Sequence, residues 1–127
     1  MQNNDLYISG LFASDIDSIL TGEDVAGSTA GTIDLTISLT NVKANNIYIG
    51  AVAAVARKTN VTNYKVTISV EESSSPINCL GGMFGRYNGD NSTGVYNSEV
   101  NITIENVDAI YVGGIVGYAE FIKLDNN

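Results

Sequence analysis

The feature that most constrains this chain is a seven-residue phrase, apolar and rich in glycine, that occurs four times. Each copy begins with tyrosine, or once with Cys79, and then mixes small residues with bulky apolar ones. The copies begin at residues 7, 48, 79 and 111, so they are spaced by 41, 31 and 32 residues. A regular period of this size is typical of stacked repeats, in which each unit buries its apolar face against the next. The copies are Tyr7–Ala13, Tyr48–Ala54, Cys79–Gly85 and Tyr111–Gly117.

A second repeated element follows each of the first three phrases and alternates apolar with polar residues, which is typical of a strand with one buried face. It starts 13, 13 and 11 residues before the next phrase, so both elements belong to one repeating unit. We expect the apolar positions to face inward: Leu35, Ile37, Leu39, Val66, Ile68, Val70, Val100, Ile102 and Ile104. We expect the polar positions to face outward: Thr36, Ser38, Thr67, Ser69, Asn101 and Thr103.

The phrase is apolar on both sides of its pleat, which predicts a strand buried on both faces. Short strands near Val61–Tyr64 and Val95–Asn97 are candidates for a third side of each unit. The first unit is longer than the others, and residues 14–31 form a candidate insertion or end-cap in which Asp15–Leu20 has the pattern of a helical turn. The fourth unit, which begins at residue 111, is expected to be incomplete.

These patterns predict a single all-β repeat domain over residues 1–127, folded as a short β-solenoid of three to four coils. A right-handed β-helix is the expected form. A compact β-barrel or β-prism of three similar units is the alternative, although the unequal spacing makes closure of three units awkward.

Composition excludes several function classes. The chain has 14 acidic and 6 basic residues and a net charge of −8, which argues against nucleic acid as a partner. Its apolar runs are too short to span a bilayer, so no membrane insertion is expected. It contains no histidine and one cysteine, so neither a cofactor, a metal site nor an enzyme is indicated. The first residues do not resemble a signal peptide, so an exported protein would have lost its leader.

The phrase resembles the GLUG repeat of bacterial secreted and surface-anchored proteins, including adhesin-like proteins and non-catalytic regions of large surface proteases. Tyr111–Tyr118 and Cys79–Arg86 match the motif well, whereas Tyr48–Val55 and Tyr7–Ser14 are degenerate. The resemblance implies a β-solenoid located outside the cell or on its surface, with no catalytic residues. We therefore expect a structural or adhesive domain whose partners are surface proteins, glycans or further copies of itself.

A carbohydrate-binding module, or an inactive relative of polysaccharide enzymes, is the alternative function. Its candidate stacking residues are Tyr64, Tyr87, Tyr96 and Tyr118. The loop Asn88–Gly94 is a candidate for binding an ion or a sugar, although any long β-turn has a similar composition. The outward polar ladder is also compatible with a flat binding surface, such as one that contacts ice.

Acidic residues provide two weaker candidates. Asp15, Asp17, Glu23 and Asp24 start like a calcium loop but lack its glycine and its closing glutamate, which favours a solvated cap. Glu71 and Glu105 occupy equivalent positions one rung apart, while Glu99 and Asp108 lie at strand edges or in turns, and none forms a recognisable acid/base pair. Cys79 has no neighbouring histidine in the sequence and is expected to be a buried, unreactive thiol.

Overall fold

The computed structural model describes residues 5–16, 18–21, 31–40, 42–90, 92–125 and 127, and these residues form strands and no helix. The strands lie in four parallel sheets. Sheet I contains β1 (Asp5–Ile8), β5 (Asn46–Ile49), β9 (Ile77–Gly81) and β13 (Ala109–Gly113). Sheet II contains β2 (Phe12–Ile16), β6 (Ala53–Arg57), β10 (Phe84–Asn88) and β14 (Val116–Glu120). Sheet III contains β3 (Ile19–Thr21), β7 (Asn60–Thr62), β11 (Gly94–Tyr96) and β15 (Lys123–Asp125). Sheet IV contains β4 (Gly31–Leu39), β8 (Tyr64–Ser73) and β12 (Glu99–Ile104).

The chain passes through sheets I to IV in order and then returns to sheet I, so one repeat is one four-sided coil. The first three coils are β1–β4, β5–β8 and β9–β12, and the described part of the fourth is β13–β15. The predicted short β-solenoid is therefore confirmed. The three-unit barrel or prism is wrong, because equivalent strands stack along one axis and no sheet closes within the described residues. Right-handed winding stays a prediction.

The glycine-rich phrase forms two strands rather than the one predicted from its apolar composition. Its first half lies in sheet I and its second half in sheet II, with a corner between them. Hydrogen bonding between coils continues through this corner, where Gly82 N donates to Gly114 O at 3.1 Å and Met83 N donates to Ile115 O at 2.8 Å. The bend therefore leaves these two donors paired, and the phrase becomes two arms that meet at a corner.

Small residues in the phrase allow the two arms to touch through their backbones. A Cβ atom at Gly81 would lie 2.6 Å from the Gly117 nitrogen, and one at Gly50 would lie 2.6 Å from the Gly85 nitrogen. Real Cβ atoms do not approach backbone this closely. The close approach of backbone segments from the same coil and the next coil is thus the physical reason for glycine at the third position of the phrase.

Sheet IV confirms the predicted alternation. Ile33 pairs with Val66, Leu35 with Ile68 and Ile37 with Val70, and the same columns continue into β12. Val66, Ile68 and Val70 are fully buried in the core, while the intervening Thr67 is exposed. The equivalent apolar residues of β12 are less buried, and Ile104 reaches 36% exposure.

The predicted third side exists as sheet III, in which β7 and β11 occupy the expected positions. Asn63 and Asn97 connect this side to sheet IV with positive φ angles of 59° and 49°. Asparagine adopts this left-handed conformation more readily than most residues. Both backbone N–H groups bond to the next coil, Asn63 to Tyr96 O and Asn97 to Asp125 O. The repeated asparagine thus makes the same corner in successive coils.

The helical turn predicted at Asp15–Leu20 is wrong. This segment contributes to β2 and β3, which pair in parallel with β6 and β7 of the second coil. Asp15 accepts a hydrogen bond from Ser18 Oγ and a second one, at 3.1 Å, from Thr59 Oγ1. Pairing with the next coil outweighs the local helical pattern here. Most of the predicted end-cap, residues 22–30, lies outside the described residues.

Candidate functional site

The two arms of the phrase present one outward column of side chains each, and the two columns flank a groove. In sheet I the column runs Tyr7, Tyr48, Cys79 and Tyr111 in register. In sheet II it runs Ser14, Val55, Arg86 and Tyr118. We call the groove the tyrosine groove, and it is lined by Tyr48, Asn78, Cys79, Arg86, Tyr111 and Tyr118.

The rings show that the two columns face each other. The Tyr111 and Tyr118 rings lie 5.2 Å apart between centroids, and these residues belong to different arms of the same phrase. The Arg86 guanidinium carbon lies 5.7 Å from the centroid of the Tyr118 ring, within the range of a cation–π contact. The cavity between the columns has a volume of about 250 Å³.

Cys79 creates much of the space in this groove. Tyr7 and Tyr48 stack with their centroids 5.4 Å apart, which shows how consecutive tyrosines fill this column. Cys79 takes the next position, pairing with Tyr48 on one side and Tyr111 on the other. Because a thiol is much smaller than a phenol ring, one position of the tyrosine column has no ring, and we call it the open position. Cys79 itself is buried beneath this position, with 5% exposure.

Arg86 is the only residue with a formal charge among the six that line the tyrosine groove. No carboxylate in the described part of the chain forms an ion pair with it. Burial raises the pKa of the Cys79 thiol, and nearby Arg86 opposes this shift. Burial, with the charge of Asp5 as the next cause, raises the pKa of Tyr48. Both groups are therefore neutral at pH 7, so Arg86 carries the one formal charge among the six lining residues. The Glu120 carboxylate lies beside the groove, where it accepts a hydrogen bond from the Tyr118 hydroxyl at 3.4 Å.

Asn78 is held in place by a ladder of side chains along the edge of sheet I. Its Nδ2 donates to Asn46 Oδ1 at 3.0 Å, and Asn46 Nδ2 donates in turn to Asp5 Oδ1 at 2.7 Å. The Asn78 Oδ1 accepts from the Ile47 N–H at 2.9 Å. The second N–H of the Asn78 amide is left for another acceptor.

A second cavity of about 270 Å³ adjoins the tyrosine groove on the outer side of sheet II. The two share Arg86, and the second is also lined by Arg57, Asn88 and the carboxylate-bearing Asp15. An extended ligand would therefore meet two exposed arginines and the Asp15 carboxylate along one face of the solenoid.

The structure places only one of the four predicted stacking tyrosines in the tyrosine groove, namely Tyr118. Tyr87 is fully buried and donates from its hydroxyl to Thr59 O at 2.7 Å, so it is a core residue rather than a ligand-stacking one. Tyr64 and Tyr96 are half-buried in other parts of the coil, and the Tyr96 hydroxyl donates to Ser92 O. Tyr48, Tyr111 and Arg86 were not predicted as site residues. The break in the tyrosine column at Cys79 was the available signal.

The predicted acidic and loop sites do not come together as ligand sites. In the acidic patch Asp15 accepts hydrogen bonds from Ser18 and Thr59. Asp17, Glu23 and Asp24 lie outside the described residues. In the loop Asn88–Gly94, Asp90 Oδ1 accepts from the backbone N–H groups of Ser92 and Thr93. Hydrogen bonds from Ser92 lower the pKa of Asp90. This loop uses its polar groups to stabilise its own turn.

The other four carboxylates singled out in the sequence are exposed and line neither cavity: Glu71, Glu99, Glu105 and Asp108. Glu71 and Glu105 directly follow the paired residues Val70 and Ile104, so they occupy equivalent positions as predicted. The polar ladder of sheet IV is in register, with Thr36 beside Ser69 and Ser69 beside Thr103. Among the described residues no group of three His, Cys, Asp or Glu side chains is placed to hold a metal.

No protein-family model matches this chain, and comparison with curated proteins and with solved structures finds no match. The described residues contain no helix that is long and apolar enough to cross a membrane. The chemistry of the tyrosine groove is that of recognition: aromatic rings, neutral hydrogen-bonding groups and one cation. Side chains of these kinds are the ones that line ligand-binding pockets in proteins.

Proposed function

We propose that this chain is a non-catalytic structural and adhesive repeat domain of a bacterial cell-surface or secreted protein. The observation that carries the proposal is that, within each coil, the groups that hold the stack together differ from those that face solvent. Backbone hydrogen bonds and core side chains tie coil to coil, while outward columns present tyrosine and arginine to a partner. The resemblance of Tyr111–Tyr118 and Cys79–Arg86 to the GLUG repeat supports the bacterial surface setting.

The absence of a carboxylate from the tyrosine groove supports a non-catalytic function. Glycoside hydrolysis ordinarily requires two carboxyl groups on either side of the scissile bond. The six residues that line the groove include neither aspartate nor glutamate. A binding function requires no carboxyl pair, and the side chains that line the tyrosine groove are sufficient for it.

Assembly through strand edges is the structural part of the proposal. Among the described residues, β13 and β15 have a strand on one side only, and β1 and β3 have one on the other side only. Exposed apolar side chains accompany the β13 and β15 edges, including Val112 at 51% and Leu124 at 48% exposure. An open edge of this kind pairs readily with another chain.

Sedimentation velocity over a wide concentration range tests this assembly. We expect the protein to associate, and Leu124→Lys to weaken association because a charged edge opposes strand pairing. Thr67→Lys, on the exposed face of the central strand β8 of sheet IV, is the matched control and should associate like the wild type. A wild-type protein that stays monomeric at every concentration would contradict assembly and leave the binding function to be judged separately.

A carbohydrate-binding module is a second candidate, and the tyrosine groove is the observation that favours it. Tyrosine provides an apolar ring face together with a hydroxyl, which suits the alternating apolar and polar surfaces of a sugar. Measuring the affinity of the chain for a panel of glycans tests this function. Tyr118→Ala should lose binding, whereas the control Tyr64→Ala, which removes a tyrosine outside the groove, should retain it.

A further inference from the structure

We infer that the tyrosine groove binds an acidic saccharide, with a sugar carboxylate paired to Arg86 and a sugar ring packed against tyrosine. This inference rests on the carbohydrate-binding function proposed above and adds the charge of the ligand.

The cavity in the groove has room for one ring-sized part of a ligand. Pockets for drug-sized molecules start at about 300 Å³, and the tyrosine groove holds about 250 Å³. The open position at Cys79 lies between Tyr48 and Tyr111, where a planar or chair-shaped ring would continue the column of stacked side chains. A single pyranose unit fits that description.

The charge of the groove selects an anion. Arg86 is exposed, and among the described residues no carboxylate forms an ion pair with it, even though the chain as a whole has a net charge of −8. The Glu120 carboxylate beside the groove is instead hydrogen-bonded to the Tyr118 hydroxyl. A guanidinium presents two parallel N–H donors that match the two oxygens of a carboxylate. The neutral Tyr48 and Cys79 beside it add no repulsion toward an anion.

The number of cations favours a sparsely charged ligand over nucleic acid. A nucleic acid carries one negative charge per nucleotide, and the protein already has a net negative charge, so the two repel each other. A polysaccharide with one carboxylate among neutral sugars needs one guanidinium at this position, which Arg86 provides. Arg57 in the adjoining cavity is a second cation further along the same face, but Asp15 lines that cavity as well, so Arg86 remains the principal anion-binding group.

Cellobiouronic acid and cellobiose test the inference, because these disaccharides differ by a single carboxylate. Each is titrated into isotope-labelled protein while the amide resonances and the Arg86 Nε–H resonance are followed by NMR. We expect the acid to shift resonances of the groove and of Arg86, and to bind at least tenfold more tightly than cellobiose. Arg86→Gln should weaken binding of the acid at least tenfold, whereas Lys65→Gln, on the exposed face of sheet IV, should leave it unchanged.

Cys79→Tyr provides a second, independent variant. A tyrosine there would complete the stacked column and fill the open position, so we expect a folded protein that no longer binds the acid. Retention of wild-type affinity by folded Cys79→Tyr or by Arg86→Gln would overturn the inference.

The result with cellobiose separates this inference from the function on which it rests. Equal binding of both disaccharides in the groove would refute the role of charge but leave carbohydrate binding standing. Absence of groove shifts with either disaccharide would overturn the acidic-saccharide inference, and absence of binding to every member of the glycan panel would overturn the carbohydrate-binding function as well.

Discussion

Gly81 lies where the two arms of one phrase meet, and its surroundings are backbone rather than side chains. A Cβ atom there would overlap the Phe84 carbonyl oxygen and lie 2.6 Å from the Gly117 nitrogen. Gly114, at the corner of the fourth coil, would meet nothing within 4 Å. Of these two glycines, only Gly81 is required by packing, because a Cβ atom at Gly114 would contact no other atom.

Gly81→Ala should consequently lower the free energy of unfolding by about 1–3 kcal/mol, the usual cost of overpacking a tight site. The matched control Gly114→Ala should change it by less than about 0.5 kcal/mol, as is common for surface substitutions. Urea denaturation of both variants measures the difference. Equal effects at the two positions would show that the arms do not touch as described.

Tyr87 is a second residue whose surroundings predict how strongly a substitution will lower stability. Its ring lies 4.8 Å from the Phe84 ring between centroids, and its hydroxyl bonds to Thr59 O. Tyr87→Phe should lower the free energy of unfolding by about 1–3 kcal/mol, because a buried carbonyl loses its donor. Tyr96→Phe removes a hydrogen bond that is exposed to solvent and should cost less than about 0.5 kcal/mol. Denaturation curves that rank the two variants in the opposite order would contradict this assignment.

At the scale of one element, β8 shows how a solenoid strand divides its residues between core and solvent. Ile68 is fully buried between Leu35 and Ile102, whereas the neighbouring Thr67 is exposed. Because β8 is flanked by a strand on each side, its inward residues are shielded by two coils. This position within the stack makes β8 more sensitive to substitution than β12.

Ile68→Ala should therefore lower the free energy of unfolding by about 2–5 kcal/mol, the range for large-to-small changes in a core. Thr67→Ala, one residue away, should change it by less than about 0.5 kcal/mol. Chemical denaturation monitored by circular dichroism gives both values. A larger effect at Thr67 would mean that the two faces of the strand are reversed.

At the scale of the whole molecule, burial of neutral acidic groups predicts instability in alkali. Burial raises the pKa of Cys79 above 9.0 and the pKa values of Tyr48 and Tyr87 above 10.0. Above these ordinary values the unfolded chain releases protons that the folded chain retains, so ionisation stabilises the unfolded state. Stability that is fully present below pH 9 is thus lost progressively as the pH rises beyond 9 to 10.

Urea midpoints measured from pH 7 to pH 11 check this dependence. The wild type should lose stability above pH 9, and Tyr87→Phe, which removes one of the buried groups, should lose less across the same interval. Thr67→Ala changes no titratable group and should follow the wild type. A midpoint independent of pH up to 11 would contradict the burial of these groups.

The repeat, the alternation in sheet IV and the third side at β7 and β11 were predictable from the sequence because they depend on local periodicity. Inward residues such as Ile68 recur at fixed offsets, and each coil repeats the same choice of buried face. The helical turn at Asp15–Leu20 failed for the opposite reason. Its conformation is set by hydrogen bonds to the second coil, which no local pattern contains.

By itself the sequence determined that the chain stacks repeated strands and which sheet IV residues enter the core, since hydrophobic alternation has a direct physical consequence for each strand. Only the tertiary structure decided that the phrase bends into two arms and that Cys79 leaves an opening beside Arg86. The reason is that a groove is a relation between coils and between sheets. Residues 48, 79, 86 and 118 become neighbours only when the backbone has turned the corner and the next coil has been added.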